Sequence, residues 1–119
     1  MAKESIKLAG QSGLAIAASV EGASDGMPVI LAHGGGQTHR AWKRVSTLLA
    51  SHGFHAIALD LRGHGNSEWA KDGAYDIADF AGDLIAIAAR LERKPALIGA
   101  SLGGLAGIKA EGHLAPGSF

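Results

Sequence analysis

Apolar and polar positions alternate twice near the start of the chain. Ile6 and Leu8 are separated by polar neighbours, and Leu14, Ile16, Ala18 and Val20 alternate with smaller or polar residues. Gly10-Gln11-Ser12-Gly13 stands between them, so the two runs predict an antiparallel hairpin. The pattern then changes. Val29–Ala32, Ala56–Leu59 and Ala96–Ile98 are short continuous apolar runs, which predict strands buried on both faces. Between them the period becomes helical. Thr38 is placed to cap a helix carrying Trp42, Val45, Leu48 and Leu49, with Gly53 as its terminator. Asp76 is placed to cap a second, with Ile77, Phe80, Leu84, Ile87 and Leu91 on one face and Pro95 beyond its end. The third strand runs into Gly99-Ala100-Ser101-Leu102-Gly103 and a third helix. A hairpin followed by alternating strands and helices predicts an α/β fold with a parallel sheet. The core is expected to contain Trp42, Leu48, Leu59, Phe80, Leu84 and Leu91.

Composition narrows the classes of function. The chain has 119 residues, enough for one domain, and 11 basic against 11 acidic residues. Zero formal charge gives no electrostatic argument for nucleic acid or for an anionic membrane as partner. Absence of cysteine removes disulfides and thiolate metal sites and fits a reducing cytoplasm. Met1–Ser5 lacks the apolar core of a signal peptide, and no apolar run approaches the about 20 residues of a membrane span. His39, His52 and His55 do not have the spacing of a zinc site, and no metal is expected. The glycines at 34–36 lack the Lys-Ser/Thr ending of a phosphate loop and the G-x-G-x-x-G of a dinucleotide fold.

Three segments carry candidate chemistry, each directly after a predicted strand: His33-Gly34-Gly35-Gly36, Asp60-Leu61-Arg62-Gly63-His64-Gly65-Asn66-Ser67, and the G-x-S-x-G pentapeptide at 99–103. Functional residues of parallel sheets gather outside the carboxyl ends of the strands, where all three fall. A serine between glycines at a sharp strand-to-helix turn is held with its hydroxyl exposed. His33, Asp60, Arg62 and His64 are read as residues that structure the loops, with Asp60 and Arg62 expected to pair with one another.

In this order and spacing the three segments resemble the N-terminal half of an α/β-hydrolase of the serine-nucleophile subgroup, over residues 5 to 119. The resemblance implies that Ser101 is the nucleophile and that the N–H of Leu102 is one oxyanion-hole donor, with Gly35, or alternatively Gly36, giving the second. Epoxide hydrolases and haloalkane dehalogenases of this family place aspartate where Ser101 stands, which disfavours their chemistry here. No cofactor is implied. The family places its triad acid and histidine after the serine. Only Glu111 and His113 follow, and a helix would carry them roughly 15–18 Å along its axis. A general base must come within about 3 Å of the proton it takes. The chain is therefore expected to be the truncated N-terminal portion of a single hydrolase domain, 1–119. The parent would hydrolyse an ester, thioester or amide of a small acyl substrate. The alternative is a non-catalytic remnant limited to binding, or to self-association through an unpaired sheet edge.

Overall fold

The computed structural model describes residues 3–119, so Met1 and Ala2, part of the segment read for a leader, lie outside the described residues. Five strands form one mixed sheet: β1 (Glu4–Ala9), β2 (Ala15–Glu21), β3 (Pro28–Ala32), β4 (His55–Leu59) and β5 (Ala96–Gly99), in the order β1-β2-β4-β3-β5. The predicted hairpin is present, with Ile6 opposite Ala18 and Leu8 opposite Ile16. β2 continues antiparallel onto β4, whereas β3 lies parallel between β4 and β5. The carboxyl ends of β3, β4 and β5 therefore share one edge of the sheet. Among the described residues β5 is an outer strand and pairs only with β3.

Three helices flank the sheet: α1 (Lys43–Ser51), α2 (Ile77–Arg90) and α3 (Leu102–Lys109). Thr38 caps as expected, but it opens a 3₁₀ turn, His39–Trp42, that precedes α1. The Asp76 N–H is satisfied by the Asp79 carboxylate, which starts α2 at Ile77. The period-2 alternation of the strands sorts the core into two layers. Ile16, Ala18, Val20, Ile30, Ile57 and Leu59 face α2, meeting Phe80, Leu84 and Ile87. Val29, Leu31, Ala56 and Ala58 face the other way, against Trp42, Val45 and Leu49. Leu48 corrects the expected core: it is 60% exposed, because α1 turns Val45 and Leu49 inward and leaves Leu48 on its outer side.

Candidate active site

The turn after β5 is built on two close approaches. A side chain on Gly103 would put its Cβ 2.1 Å from the Ala32 carbonyl oxygen, and one on Gly99 would meet the Gly103 backbone at 2.6 Å. Glycine at both positions lets the start of α3 cross directly over the ends of β3 and β5. The Gly103 N–H donates to the His33 and Ala100 carbonyls, which fixes the crossing. Ser101 sits between them at φ 51°, ψ −114°, outside the helix and strand regions. A non-glycine residue holds such a conformation only where its surroundings impose it. The residue is exposed.

The loop after β3 lies against this serine. A Cβ built on Gly34 would stand 3.5 Å from the Ser101 Cβ, and one on Gly35 would stand 3.9 Å from a Leu102 methyl. The Gly34 N–H is taken by the Gln37 side chain at 3.0 Å and the Gly36 N–H by His64 Nε2 at 2.9 Å. Among the described residues, the N–H groups of Gly35 and Leu102 have no hydrogen-bond partner. Gly36, the alternative donor, is thus already committed.

Two histidines hold the loops in place. His33 is fully buried, donates from Nδ1 to the Gly34 carbonyl at 2.7 Å and accepts the Leu61 N–H on Nε2 at 3.0 Å. Both ring nitrogens are occupied and the ring is neutral. Burial pushes its pKa below the ordinary histidine value, against the hydrogen bond to Gly34, which raises it. His64 bonds the Arg62 carbonyl through Nδ1 at 3.0 Å while its Nε2 reaches Gly36, and its ring stands 5.0 Å from that of His33. It therefore ties the loop after β4 to the loop after β3.

Asp60 and Arg62 do not pair with one another. Arg62 instead forms a two-pronged bond with Asp83 of α2, Nε to Oδ2 at 2.7 Å and Nη2 to Oδ1 at 2.8 Å, both residues being buried. The side-chain bond to Asp83 raises the Arg62 pKa above its already high value. Asp60 accepts the His39 N–H at 2.7 Å, the His39 ring Nδ1–H at 2.8 Å and the Asn66 N–H at 3.0 Å. Burial alone would push its carboxyl up, but the N–H groups of Asn66 and His39 and the His39 ring outweigh it and hold the pKa below the usual carboxylate value. Neighbouring residues in sequence point apart here because each side chain follows the direction of its own loop bond. Gly65, at φ +49°, passes so close over the Asp60 carboxylate that a Cβ would stand 2.4 Å from it. The sequence reading missed His39 and Asp83. Asp83 had one usable signal, a carboxylate set between Phe80, Leu84 and Ile87 on a helix whose buried face is otherwise apolar.

Glu111 and His113 are not brought to Ser101. They lie on a wider turn, Ala110–Leu114, at the far end of α3. The Glu111 carboxylate accepts the N–H groups of Gly117 at 2.6 Å and Phe119 at 3.0 Å, which lower its pKa. His113 Nδ1 stands 2.8 Å from Lys109 Nζ. Among the described residues no group of His, Asp and Glu is arranged to hold a metal ion. No helix of the described residues is long and apolar enough to cross a membrane.

A strained serine between a strand and a helix, beside a glycine loop with a free N–H, is the arrangement found in one large enzyme family. Residues 29–117 match the profile of the alpha/beta hydrolase family. The chain belongs to that family. A non-heme chloroperoxidase of Streptomyces lividans is 37% identical over 84 residues, 70% of this chain and 30% of that protein. An esterase of Mycobacterium tuberculosis is 39% identical over 84 residues, 68% of this chain and 26% of that protein. Among solved structures, the thioesterase domain from the curacin biosynthetic pathway superposes with a TM-score of 0.84 at 26% identity, covering 93% of this chain and 40% of that one. An epoxide hydrolase of Vigna radiata superposes with a TM-score of 0.82 at 25% identity, over 91% of this chain and 35% of its own. This alpha/beta hydrolase chain spans about a third or less of the length of the curated relatives it matches. The hydrolases among them are named esterase, carbamate hydrolase and epoxide hydrolase.

Proposed function

We propose that Ser101 is the nucleophile of a serine hydrolase acting on an ester, thioester or amide of a small acyl substrate through an acyl-enzyme. The observation that carries this reading is the pairing of a strained, exposed Ser101 with two unpartnered N–H groups, of Gly35 and Leu102, on the loop and helix that flank it. Attack by the hydroxyl oxygen on a carbonyl would place the developing negative charge where those donors stabilise it. The hydroxyl proton needs a base. His33 is closed on both nitrogens, and Glu111 and His113 are engaged elsewhere. The base and its acid belong in this reading to segments that the longer relatives possess beyond the part matched here. The chemistry needs no cofactor. A cysteine-free chain suits the cytoplasm.

The test joins residues 1–119 to the C-terminal remainder of the Mycobacterium tuberculosis esterase. A fusion that unfolds cooperatively and releases nitrophenol from p-nitrophenyl acetate in a Ser101-dependent burst supports the reading. Equal rates for that folded fusion and its Ser101→Ala form overturn it.

A second reading is association without catalysis. It rests on the outer position of β5, where Ile98 is 40% exposed and, among the described residues, one row of backbone groups has no strand partner.

A further inference from the structure

Each of the two peptides that meet at Gly35 is held by a histidine. The first carries the Gly34 carbonyl and the Gly35 N–H. Its carbonyl accepts the His33 Nδ1–H at 2.7 Å and the Gln37 N–H at 3.1 Å. The peptide is trans, so its N–H points opposite to its carbonyl, and whatever fixes the one aims the other. The second peptide carries the Gly35 carbonyl and the Gly36 N–H, and that N–H donates to His64 Nε2 at 2.9 Å. The two imidazoles stand 5.0 Å apart.

The His64 bond exists in one protonation state only. Nδ1 lies 3.0 Å from the Arg62 carbonyl, which can only accept, so Nδ1 carries the proton. Nε2 meets an N–H, which can only donate, so Nε2 is unprotonated. A second proton, on Nε2, would set two N–H dipoles against one another and leave Gly36 without its acceptor. Gly36 has φ +80° and nothing within 4 Å of its Cβ position, so its peptide has room to turn once released. His33 does not take that proton instead. It is fully buried with both nitrogens bonded, and burial, followed by the charge of a protonated His64, lowers its pKa.

The other titratable groups around the pair are engaged elsewhere. From the loop after β4, Asp60 is closed by Asn66 and His39, and the Arg62 guanidinium bonds Asp83 of α2. The 3₁₀ turn contributes His39, whose Nδ1 is held by Asp60. The Tyr75 hydroxyl accepts the Ala70 N–H, and α2 presents Phe80 edge-on to the His64 ring. Among the described residues no carboxylate bonds that ring.

We propose that His64 is the positioning residue of the oxyanion loop and that one added proton disarms it: the neutral ring holds the peptide between Gly35 and Gly36, and the charged ring releases it. The proposal rests on reading Gly35 as a donor to the substrate oxyanion, and it makes that donor available only while His64 is neutral.

The experiment is an amide and imidazole NMR titration of the full 119-residue chain from about pH 8 to about pH 5, the span in which imidazoles ordinarily titrate. The Gly36 amide signal should move upfield as its hydrogen bond is lost, with the same midpoint as the His64 ring signals, and the Gly35 amide should follow. A merely structural His64 would leave both amides indifferent to pH. His64→Gln supplies an uncharged carbonyl acceptor and should abolish the titration at Gly36. Different midpoints for Gly36 and the His64 ring, or a Gly36 titration that survives in His64→Gln, overturn the proposal. The comparison of midpoints needs only the wild-type chain and decides the matter if the variant does not fold. In the fusion with the esterase remainder, kcat of His64→Gln relative to wild type should rise several-fold as pH falls through that midpoint, because the base of the esterase segment is common to both forms and cancels. A ratio that does not change with pH overturns the positioning role. A folded fusion without Ser101-dependent activity overturns the Ser101 reading instead, and the amide titration still decides the loop bond.

Discussion

His64 Nε2 accepts the Gly36 N–H at 2.9 Å, joining two loops 28 residues apart in sequence. This bond engages the Gly36 N–H, while the adjacent Gly35 N–H has no hydrogen-bond partner among the described residues. Removing the acceptor with His64→Ala should cost about 0.5–1.5 kcal/mol of stability. It should also raise the amide exchange rate of Gly36 and its neighbours more than that of α2. Uniform exchange across the chain would show that His64 acts as general packing and does not hold the glycine loop.

The buried Arg62–Asp83 bond joins the loop after β4 to α2. Truncating either partner strands a buried charge, so Arg62→Ala or Asp83→Ala should each cost about 3–5 kcal/mol. The paired replacement Arg62→Met with Asp83→Leu should cost less than either single change. Urea unfolding of the three variants checks this. A pair of single variants that lose almost nothing would contradict the burial on which the estimate rests.

Acid should weaken the fold in two steps. Burial lowers the His33 pKa, so the unfolded chain binds a proton there first, and stability falls as pH drops below the ordinary histidine value of 6.5. The Asp60 pKa is also lowered. Its contribution is present above the ordinary carboxylate value of 3.8 and disappears as pH falls through the lower, folded-state value. Asp60→Asn should flatten the second step and leave the first, as read from urea midpoints between pH 7 and about pH 2. An unchanged acid limb in that variant would move the second step to another carboxylate.

Gly103→Ala should prevent native folding or cost at least about 1–3 kcal/mol, since its methyl would enter the backbone of Ala32. Gly112→Ala is the control: nothing lies within 4 Å of its Cβ position. Circular dichroism and thermal unfolding of the two variants should separate sharply. Equal stability would mean that the crossing of α3 over β3 is looser than the contacts imply.

The 119-residue chain alone should hydrolyse p-nitrophenyl acetate no faster than its Ser101→Ala form, because a serine without a positioned base stays protonated. It should also self-associate through β5. A charge at the exposed edge position, Ile98→Lys, should shift sedimentation toward monomer. A wild-type chain that sediments as a monomer with one sharp unfolding transition would show that the outer strand needs no partner.

The sequence by itself determined the elements and their order. Alternation marked β1 and β2, continuous apolar runs marked β3 to β5, and the glycine spacing around Ser101 announced a turn that the backbone then adopts at φ 51°. These features were legible because each is set by interactions within a few residues. Tertiary structure decided the rest. Leu48 and Leu49 both fit the helical spacing of α1, and only its seating on the sheet leaves Leu48 outside. Asp60 and Arg62 are two positions apart, yet one bonds His39 and the other Asp83, each 21 residues away. No local period encodes such partners, because a polar side chain is directed by whichever donor or acceptor the packed loops bring within about 3 Å.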